Sequence, residues 1–172
     1  ITPIGPKARN LNKKFEFNEG EFNQLTYWMN RQIIDDYPLE LVSPVDWTDD
    51  SQNINDRVRS YLDVNCGHCH SPTGNANSTG LYLHLDETRD IHLGLYKKPV
   101  ATGRGSGGLK YSIVPGKPDE SILLHRMISL DPGVMMPESG RALSHTEAVE
   151  MVREWILAVS YTHLRAHETL PN

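Results

Sequence analysis

The chain is poor in cysteine, in positive charge and in long apolar stretches. Only two of its 172 residues are cysteines, and its formal net charge is -5. Because this charge gives no basic footprint, a nucleic acid is not expected as a partner. No run approaches the roughly 18 consecutive apolar residues that a membrane-spanning helix needs. These absences argue against a nucleic-acid-binding module and against a membrane span within this sequence.

The composition that remains is that of a lean globular chain. Hydrophobic residues make up 38% and charged residues 23% of the sequence, and 11 prolines with 13 glycines indicate many turns. The length suits one domain, or one domain with an appendage. The sequence opens at Ile1 with ITPIGPKARN, which reads like the interior of a protein, so we expect it to belong to a longer chain. A missing signal peptide therefore says nothing about export.

The first part of the chain shows no obvious chemistry. An alternating run with Phe15 and Phe17 ends in an Asn-Glu-Gly turn, and residues 22–34 then place apolar side chains at helical spacing. Prolines at positions 38 and 44 favour an extended linker. We therefore expect a boundary at residues 49–53, with an N-terminal extension before it at 1–52.

The second part, residues 53–158, predicts a mainly α domain with long irregular loops. Apolar spacing indicates a helix over 53–64, which Asn or Asp can cap, and the run SILLHRM starting at Ser121 indicates another. The segment LYLHLD is compatible with a short strand or an extended loop. Ser144 and Glu147 have the spacing of a capping box, which predicts that a final amphipathic helix begins there.

The end of the chain, residues 159–172, looks non-native. Its first part, VSYTHLRAHET, is the translation in one frame of a commonly used transposon sequencing adapter, and it interrupts the preceding helical pattern. We predict that the native sequence stops at about Ala158 and exclude the tail from fold reasoning. His163 and His167 are therefore not considered as ligands.

The chemistry of the chain is concentrated in NCGHCH, which contains both cysteines. Cys66, Cys69 and His70 form the pattern Cys-x-x-Cys-His, the attachment pattern for c-type haem. Two thiols three positions apart can each add to one vinyl group on the same edge of the porphyrin, and the next residue then projects its imidazole under the iron. We expect one covalent haem c in this chain, with His70 as the proximal axial ligand.

Two other chemistries use closely spaced cysteines. A redox dithiol prefers a strand-to-helix context in a thioredoxin-like pattern, which this sequence does not show. A zinc site usually takes four ligands, and no second cysteine pair or paired histidine follows at regular spacing. A zinc-stabilised binding module and a dithiol remain as alternatives.

The second axial ligand has to come from further along the chain, and DPGVMMPESG offers two methionines. Met136, directly before a proline that stiffens the loop, is the first choice, and Met135 is the second. A His/Met pair favours reduced iron and raises the potential relative to two histidines. Other side chains are weaker candidates. They are Met127, which we expect in the core, His84, His92 and His125 as possible second histidines, and His68, which we expect to point away from the iron.

These motifs together resemble a known family. The helix leading into Cys-x-x-Cys-His, GLYLHLD, GSGGLKYSIVPGKPDESILLHRM, MMPESG and LSHTEAVEMVREWI resemble the planctomycete-type cytochrome c domain over residues 53–158. With PIGPKARNLN near the start, residues 1–158 are similar to the C-terminal half of a family of uncharacterised di-haem c-type cytochromes. The resemblance implies thioether links at Cys66 and Cys69, axial ligation by His70 and Met136, a second haem domain upstream of Ile1, and a periplasmic or otherwise exported location.

The function expected from these residues is electron transfer by a module of a larger cytochrome, not catalysis by this domain. Redox partner proteins would dock weakly and transiently over a small interface. The alternative is an electron-feeding domain of a di-haem enzyme linked to peroxidase or dehydrogenase chemistry. Possible partners for the haem propionates are the cations Arg104, Lys110 and Arg126, and less strongly Tyr111 and Trp47.

Overall fold

The computed structural model describes residues 6–100, 102–138 and 140–168, with side chains up to residue 159. The chain divides into two compact units, Ile1–Asp46 and Trp47–Asn172. Each unit is described by itself below.

The first unit contains a β-hairpin between two short helices. Helix α1 covers Ala8–Leu11, strands β1 and β2 cover Lys14–Phe17 and Gly20–Asn23, and helix α2 covers Gln24–Asn30. The strands pair antiparallel with Phe15 opposite Phe22. Gly20 has a φ of +122°, a conformation that favours glycine at the turn.

Helix α2 is shorter than the predicted span of 22–34. Phe22 and Asn23 belong to strand β2, because the alternating run before the turn pairs with them across the hairpin. The Asn23 side chain then accepts a hydrogen bond from the Thr26 amide and caps the helix. The predicted helix therefore forms over Gln24–Asn30, whereas residues 22 and 23 belong to the hairpin.

The second unit is built from four helices joined by long loops. Helix α3 covers Ile54–Asn65, α4 covers Asp90–Leu93, α5 covers Ile122–Ile128 and α6 covers Thr146–Glu168. Asn53 caps α3 by accepting from the Asn55 amide, which confirms the predicted start of this helix. Helices α3 and α5 both pack against α6.

The core of this unit lies where those three helices meet. Its members include Val58 and Leu62 from α3, Leu124 and Met127 from α5, Ala148, Val152, Trp155 and Ile156 from α6, and Leu83, Leu95 and Ile113 from the loops. The indole Nε1 of Trp155 donates to Oδ1 of Asn55 at 3.1 Å, so α6 is also joined to α3 by a hydrogen bond. Burying these side chains supplies the main favourable free energy of the unit.

One local expectation about the second unit is corrected. The capping box is not formed, because the Ser144 hydroxyl donates to the carbonyl of Met127 and α6 begins at Thr146. That bond connects the start of α6 to the end of α5. The segment 81–86, which the sequence left open as a strand or a loop, is a loop.

Helix α6 runs on to Glu168, past the expected end at about Ala158. Residues 159–168 include no proline or glycine, and they include the good helix formers Leu164, Arg165 and Ala166. A continuous helix is therefore compatible with this stretch whatever its origin. The origin of residues 159–172 stays a prediction.

The described residues form six helices and one two-stranded sheet. This composition gives loose support to the expectation of a mainly α fold. Much of the second unit between α3 and α5 is irregular, with three short 3-10 turns at Asn77–Thr79, Gly103–Ser106 and Pro118–Glu120. Within the described residues, no helix has the length and apolar character required to cross a membrane.

Candidate cofactor-attachment site

The Cys-x-x-Cys-His motif forms a tight turn directly at the end of α3. The amides of Cys66 and Gly67 both donate to the Leu62 carbonyl at 2.9 Å, and this ends the helix. The amides of Cys69 and His70 then donate to the Cys66 carbonyl at 3.1 and 2.9 Å. Both cysteines are free thiols and half-buried. The helix end therefore presents both sulfur atoms and the imidazole on one turn of chain.

Glycines allow the chain to pass closely around this turn. A Cβ at Gly67 would lie 2.8 Å from the Asp63 carbonyl oxygen and 3.1 Å from the Cα of His84. A Cβ at Gly74 would lie 2.1 Å from the carbonyl oxygen of Cys69. Both contacts are to backbone, which cannot move aside as a side chain can. The turn therefore requires glycine at positions 67 and 74, although the Cys-x-x-Cys-His pattern specifies neither of them.

Gly74→Ala is expected to disrupt the turn that holds the motif. Because the new Cβ would collide with the Cys69 backbone, we expect a loss of stability of about 3 kcal/mol or more, the range of overpacking and strain together. Thermal unfolding of the purified protein measures this loss. The control is Gly103→Ala, where nothing lies within 4 Å and only the cost of a φ of +50° applies. Equal melting temperatures for Gly74→Ala and the parent protein would contradict the prediction.

His70 is half-buried, and its surroundings favour the neutral ring. Burial lowers the pKa of His70 below the ordinary value, and the nearby Leu81 backbone acts in the opposite direction. Nδ1 is buried and makes no hydrogen bond of good geometry, so the Leu81 effect reflects proximity rather than a formed bond. The His70 carbonyl accepts from the Leu83 amide at 2.8 Å, which keeps residues 81–83 beside the ring. A neutral imidazole is the form that ligates metals.

The Cys66 thiol lies against the hydrophobic core of the second unit. Burial raises the pKa of Cys66 to about 12, and the neighbouring Cys69 adds to the shift. Cys66 is therefore protonated at neutral pH. Reactive redox dithiols depend on a lowered thiol pKa, so this environment disfavours the dithiol alternative.

The loop that carries the two candidate methionines is within electrostatic range of His70. After burial and the Leu81 backbone, the charges that act on the pKa of His70 include those of Arg126, before the two methionines, and Glu138, just after them. Met135 and Met136 are both half-buried, and the peptide bond between Met136 and Pro137 is cis. The fold thus brings charges on both sides of the methionines within reach of the motif, although the loop 131–138 is more than 60 positions from it in the sequence.

The two methionine amides are held by different partners. The Met135 amide donates to the Asp131 carbonyl at 2.8 Å, within the loop. The Met136 amide donates to the Arg126 carbonyl at 3.0 Å, at the end of α5. The choice between the two sulfur atoms stays a prediction.

The other ligand candidates have local surroundings of their own. Met127 is buried in the core, as expected. His92 lies beside Glu87, with Nδ1 3.3 Å from the carboxylate, and His125 packs closely over Gly107. His84 has its Cα against Gly67, and its ring is 6.3 Å from that of Tyr82. His68 adds a small lowering effect to the pKa of His70.

Of the expected propionate partners, Arg126 is the one whose charge acts on the pKa of His70. Its Nε donates to the Val134 carbonyl at 2.8 Å. Arg104 is exposed and already pairs with both carboxylate oxygens of Asp131 at 3.0 Å, and Lys110 is exposed. Tyr111 packs edge-on against Tyr96, and Trp47 packs against the rings of Tyr61 and His145.

Arg141 is a residue that the sequence interpretation missed. Its guanidinium donates to the carbonyls of Met127 at 2.6 Å and Arg126 at 3.1 Å, and also to that of Ser129. These carbonyls are at the end of α5, where helical partners are lacking. No pattern in the sequence marks a lone arginine as the cap of a helix 13 positions earlier.

Two observations concern other kinds of site. Within the described residues, no three His, Cys, Asp or Glu side chains gather into a group that could hold a metal ion, so no zinc ligand set is seen there. A groove of about 490 Å³ lies between charged side chains of α6 and the start of α3, lined among others by Asp50, Arg57, Glu147 and Glu154. It shares no residue with the motif or the methionine loop.

Comparison with known proteins adds no relative. No family model, no curated protein and no solved structure matches this chain.

The described residues fit a covalently attached haem in their chemistry. The motif offers two free thiols on one turn, followed by an imidazole that burial keeps neutral. The imidazole Nδ1 is a buried polar atom without a well-formed partner, close to a backbone segment. A thioether-bearing loop lies within electrostatic reach of the same ring.

Proposed function

We propose that residues 53–158 carry one haem c and transfer single electrons as a module of a larger, di-haem cytochrome. The observation that carries the proposal is the turn at the end of α3. There Cys66, Cys69 and the neutral imidazole of His70 lie together, and the charges of Arg126 and Glu138 on either side of the two methionines act on the same ring. No other arrangement of chemically active side chains in the described residues has such a specific pattern.

Each residue has a defined part in this proposal. Cys66 and Cys69 would hold the haem through two thioether links, and His70 would ligate its iron. Met136, with Met135 as the alternative, would supply the other protein ligand. A His/Met-ligated haem supplies a reversible one-electron couple of raised potential. The apolar core beside Cys66 keeps water from this side of the site, which also favours the reduced form.

A filled sixth position distinguishes an electron carrier from an enzyme. When a protein side chain occupies both axial positions, no position remains for a substrate, so the domain relays electrons. A domain that feeds a catalytic haem elsewhere in a longer chain would have the same ligands. Attachment of haem c takes place outside the cytoplasm in bacteria, so the proposal includes a periplasmic or otherwise exported location.

The proposal is tested on protein produced in a host that attaches haem c. We expect a pyridine haemochrome spectrum with both vinyl groups saturated, one haem per chain, and a reversible one-electron reduction. Carbon monoxide should leave the spectrum of the reduced protein unchanged. Rapid binding of carbon monoxide would favour a catalytic domain, and protein without absorbing haem but with bound zinc would favour the zinc-stabilised module.

A further inference from the structure

Arg126 holds the methionine loop from both its backbone and its side chain. Its carbonyl accepts the Met136 amide at 3.0 Å, and its Nε donates to the Val134 carbonyl at 2.8 Å. These two bonds fasten both sides of Met135 to the last turn of α5. The arginine therefore fixes the course of residues 134–136.

The side chain of Arg126 is half-buried. Its guanidinium lies over Gly105, where an added Cβ would approach Cζ to 3.3 Å and Nη2 to 3.4 Å. Gly105 itself is buried in the 3-10 turn Gly103–Ser106. An arginine in the last turn of a helix usually extends into water, so this inward placement requires a compensating interaction. The bond to Val134 is that interaction.

The carbonyl of Arg126 is itself held in place by a second arginine. Nη2 of Arg141 donates to the same oxygen at 3.1 Å, and Nη1 donates to the Met127 carbonyl at 2.6 Å. The end of α5 is thus closed by side-chain donors that come from beyond the methionine loop. The Arg126 carbonyl that accepts the Met136 amide is therefore held by a second hydrogen bond, from Arg141.

We propose that Arg126 is a positioning residue for the axial methionine: by clamping residues 134–136 it slows release of the Met136 sulfur from the iron. The proposal rests on the proposed function, because it needs Met136 to be a ligand. The side chain of Arg126 acts through the loop backbone and does not itself touch the iron. Its role is separate from pairing with a propionate, which would use the charge and the Nη groups of the guanidinium rather than the bond from Nε to Val134.

The test uses the haem-bearing protein with Arg126→Gln and Arg126→Lys. Imidazole competes with the methionine for ferric iron, and its affinity reports how easily the loop opens. We expect both variants to bind imidazole roughly threefold to tenfold more tightly, because one part-buried hydrogen bond is lost. Hydrogen exchange at the Met136 amide should accelerate by a similar factor. Lysine keeps the charge but lacks the Nε–H group that reaches Val134, so it should not restore the parent affinity.

Two further variants sharpen the result. Gly105→Ala, which pushes on the guanidinium without changing Arg126, should raise imidazole affinity by a smaller factor. Arg153→Gln is the matched control, since Arg153 makes a comparable 2.8 Å bond to Asp119 on another face. It should change neither imidazole affinity nor exchange at Met136.

The outcomes separate this inference from the proposed function. Haem-bearing Arg126→Gln and Gly105→Ala proteins with parent-like imidazole affinity and Met136 exchange would overturn the positioning role. Full recovery in Arg126→Lys would assign the effect to charge and overturn it as well. If the parent protein carries no haem, the proposed function fails, and the axial role with it. In a haem-free parent protein, slow hydrogen exchange at the Met136 amide that becomes fast in Arg126→Gln would still show that Arg126 holds residues 134–136.

Discussion

Replacing both cysteines, Cys66→Ser together with Cys69→Ser, is expected to give a chain without attached porphyrin and without a cooperative melt. The second unit combines long irregular loops with a core formed mainly by three helices, which is thin for its length. In our proposal the macrocycle supplies much of the missing apolar contact. A domain of this size is stable by only about 5–15 kcal/mol, so losing that contact removes most of its stability. Mass spectrometry and circular dichroism melting measure the two effects.

The serine substitutions also introduce a cost unrelated to haem, which a second double variant removes. Cys66 lies against the core, and a hydroxyl there would cost about 1–3 kcal/mol if it found no partner. Cys66→Ala with Cys69→Ala loses the thioether links without burying a hydroxyl, and it should unfold to the same extent. Thr73→Ala, at an exposed position in the following turn, should keep both haem and the parent melting curve. A native-like cooperative melt of the haem-free alanine variant would show that the haem is not needed for folding.

Met136→Ala is expected to abolish the near-infrared band of sulfur–iron ligation and to lower the midpoint potential. The reason is that the thioether favours ferrous iron, and water or another weak ligand would replace it. Axial ligands tune haem potentials over roughly 0.8 V, and a fall on the order of 100 mV or more is expected here. Because Met136 is only half-buried, the same change should cost little stability. Optical redox titration and the near-infrared spectrum provide the measurements.

Met127→Ala should behave in the opposite way. Met127 is 7% exposed within the core between α5 and α6, so truncation creates a cavity and should cost about 2–5 kcal/mol. The sulfur–iron band should persist. Met135→Ala should also keep the band, because in our proposal its neighbour is the ligand. Loss of the band in Met135→Ala alone would move the ligand by one position, and its persistence in both loop variants would contradict the assignment of Met136 as the required ligand.

The local parts of the site could be predicted from the sequence because they depend on neighbouring residues. The cap at Asn53, helix α3 and the motif that follows it all involve contacts within a few positions. The spacing of Cys66, Cys69 and His70 is what predicts the chemistry of the turn. The start of α6 was less predictable, since Ser144 bonds to Met127 rather than to its own helix. The hydrogen bond to Met127, a residue distant in the sequence, formed in place of the local capping bond.

The sequence by itself determined where the proposed attachment chemistry lies and which side chains would provide it. Only the tertiary structure decided the environment of these groups. It placed the charges of Arg126 and Glu138 within range of His70, tied the Met136 loop to Arg126, and closed the end of α5 with Arg141. It also buried the Cys66 thiol and the His70 ring enough to shift their pKa values. Such effects arise from desolvation and from contacts between distant segments, and neither is encoded in the spacing of adjacent residues.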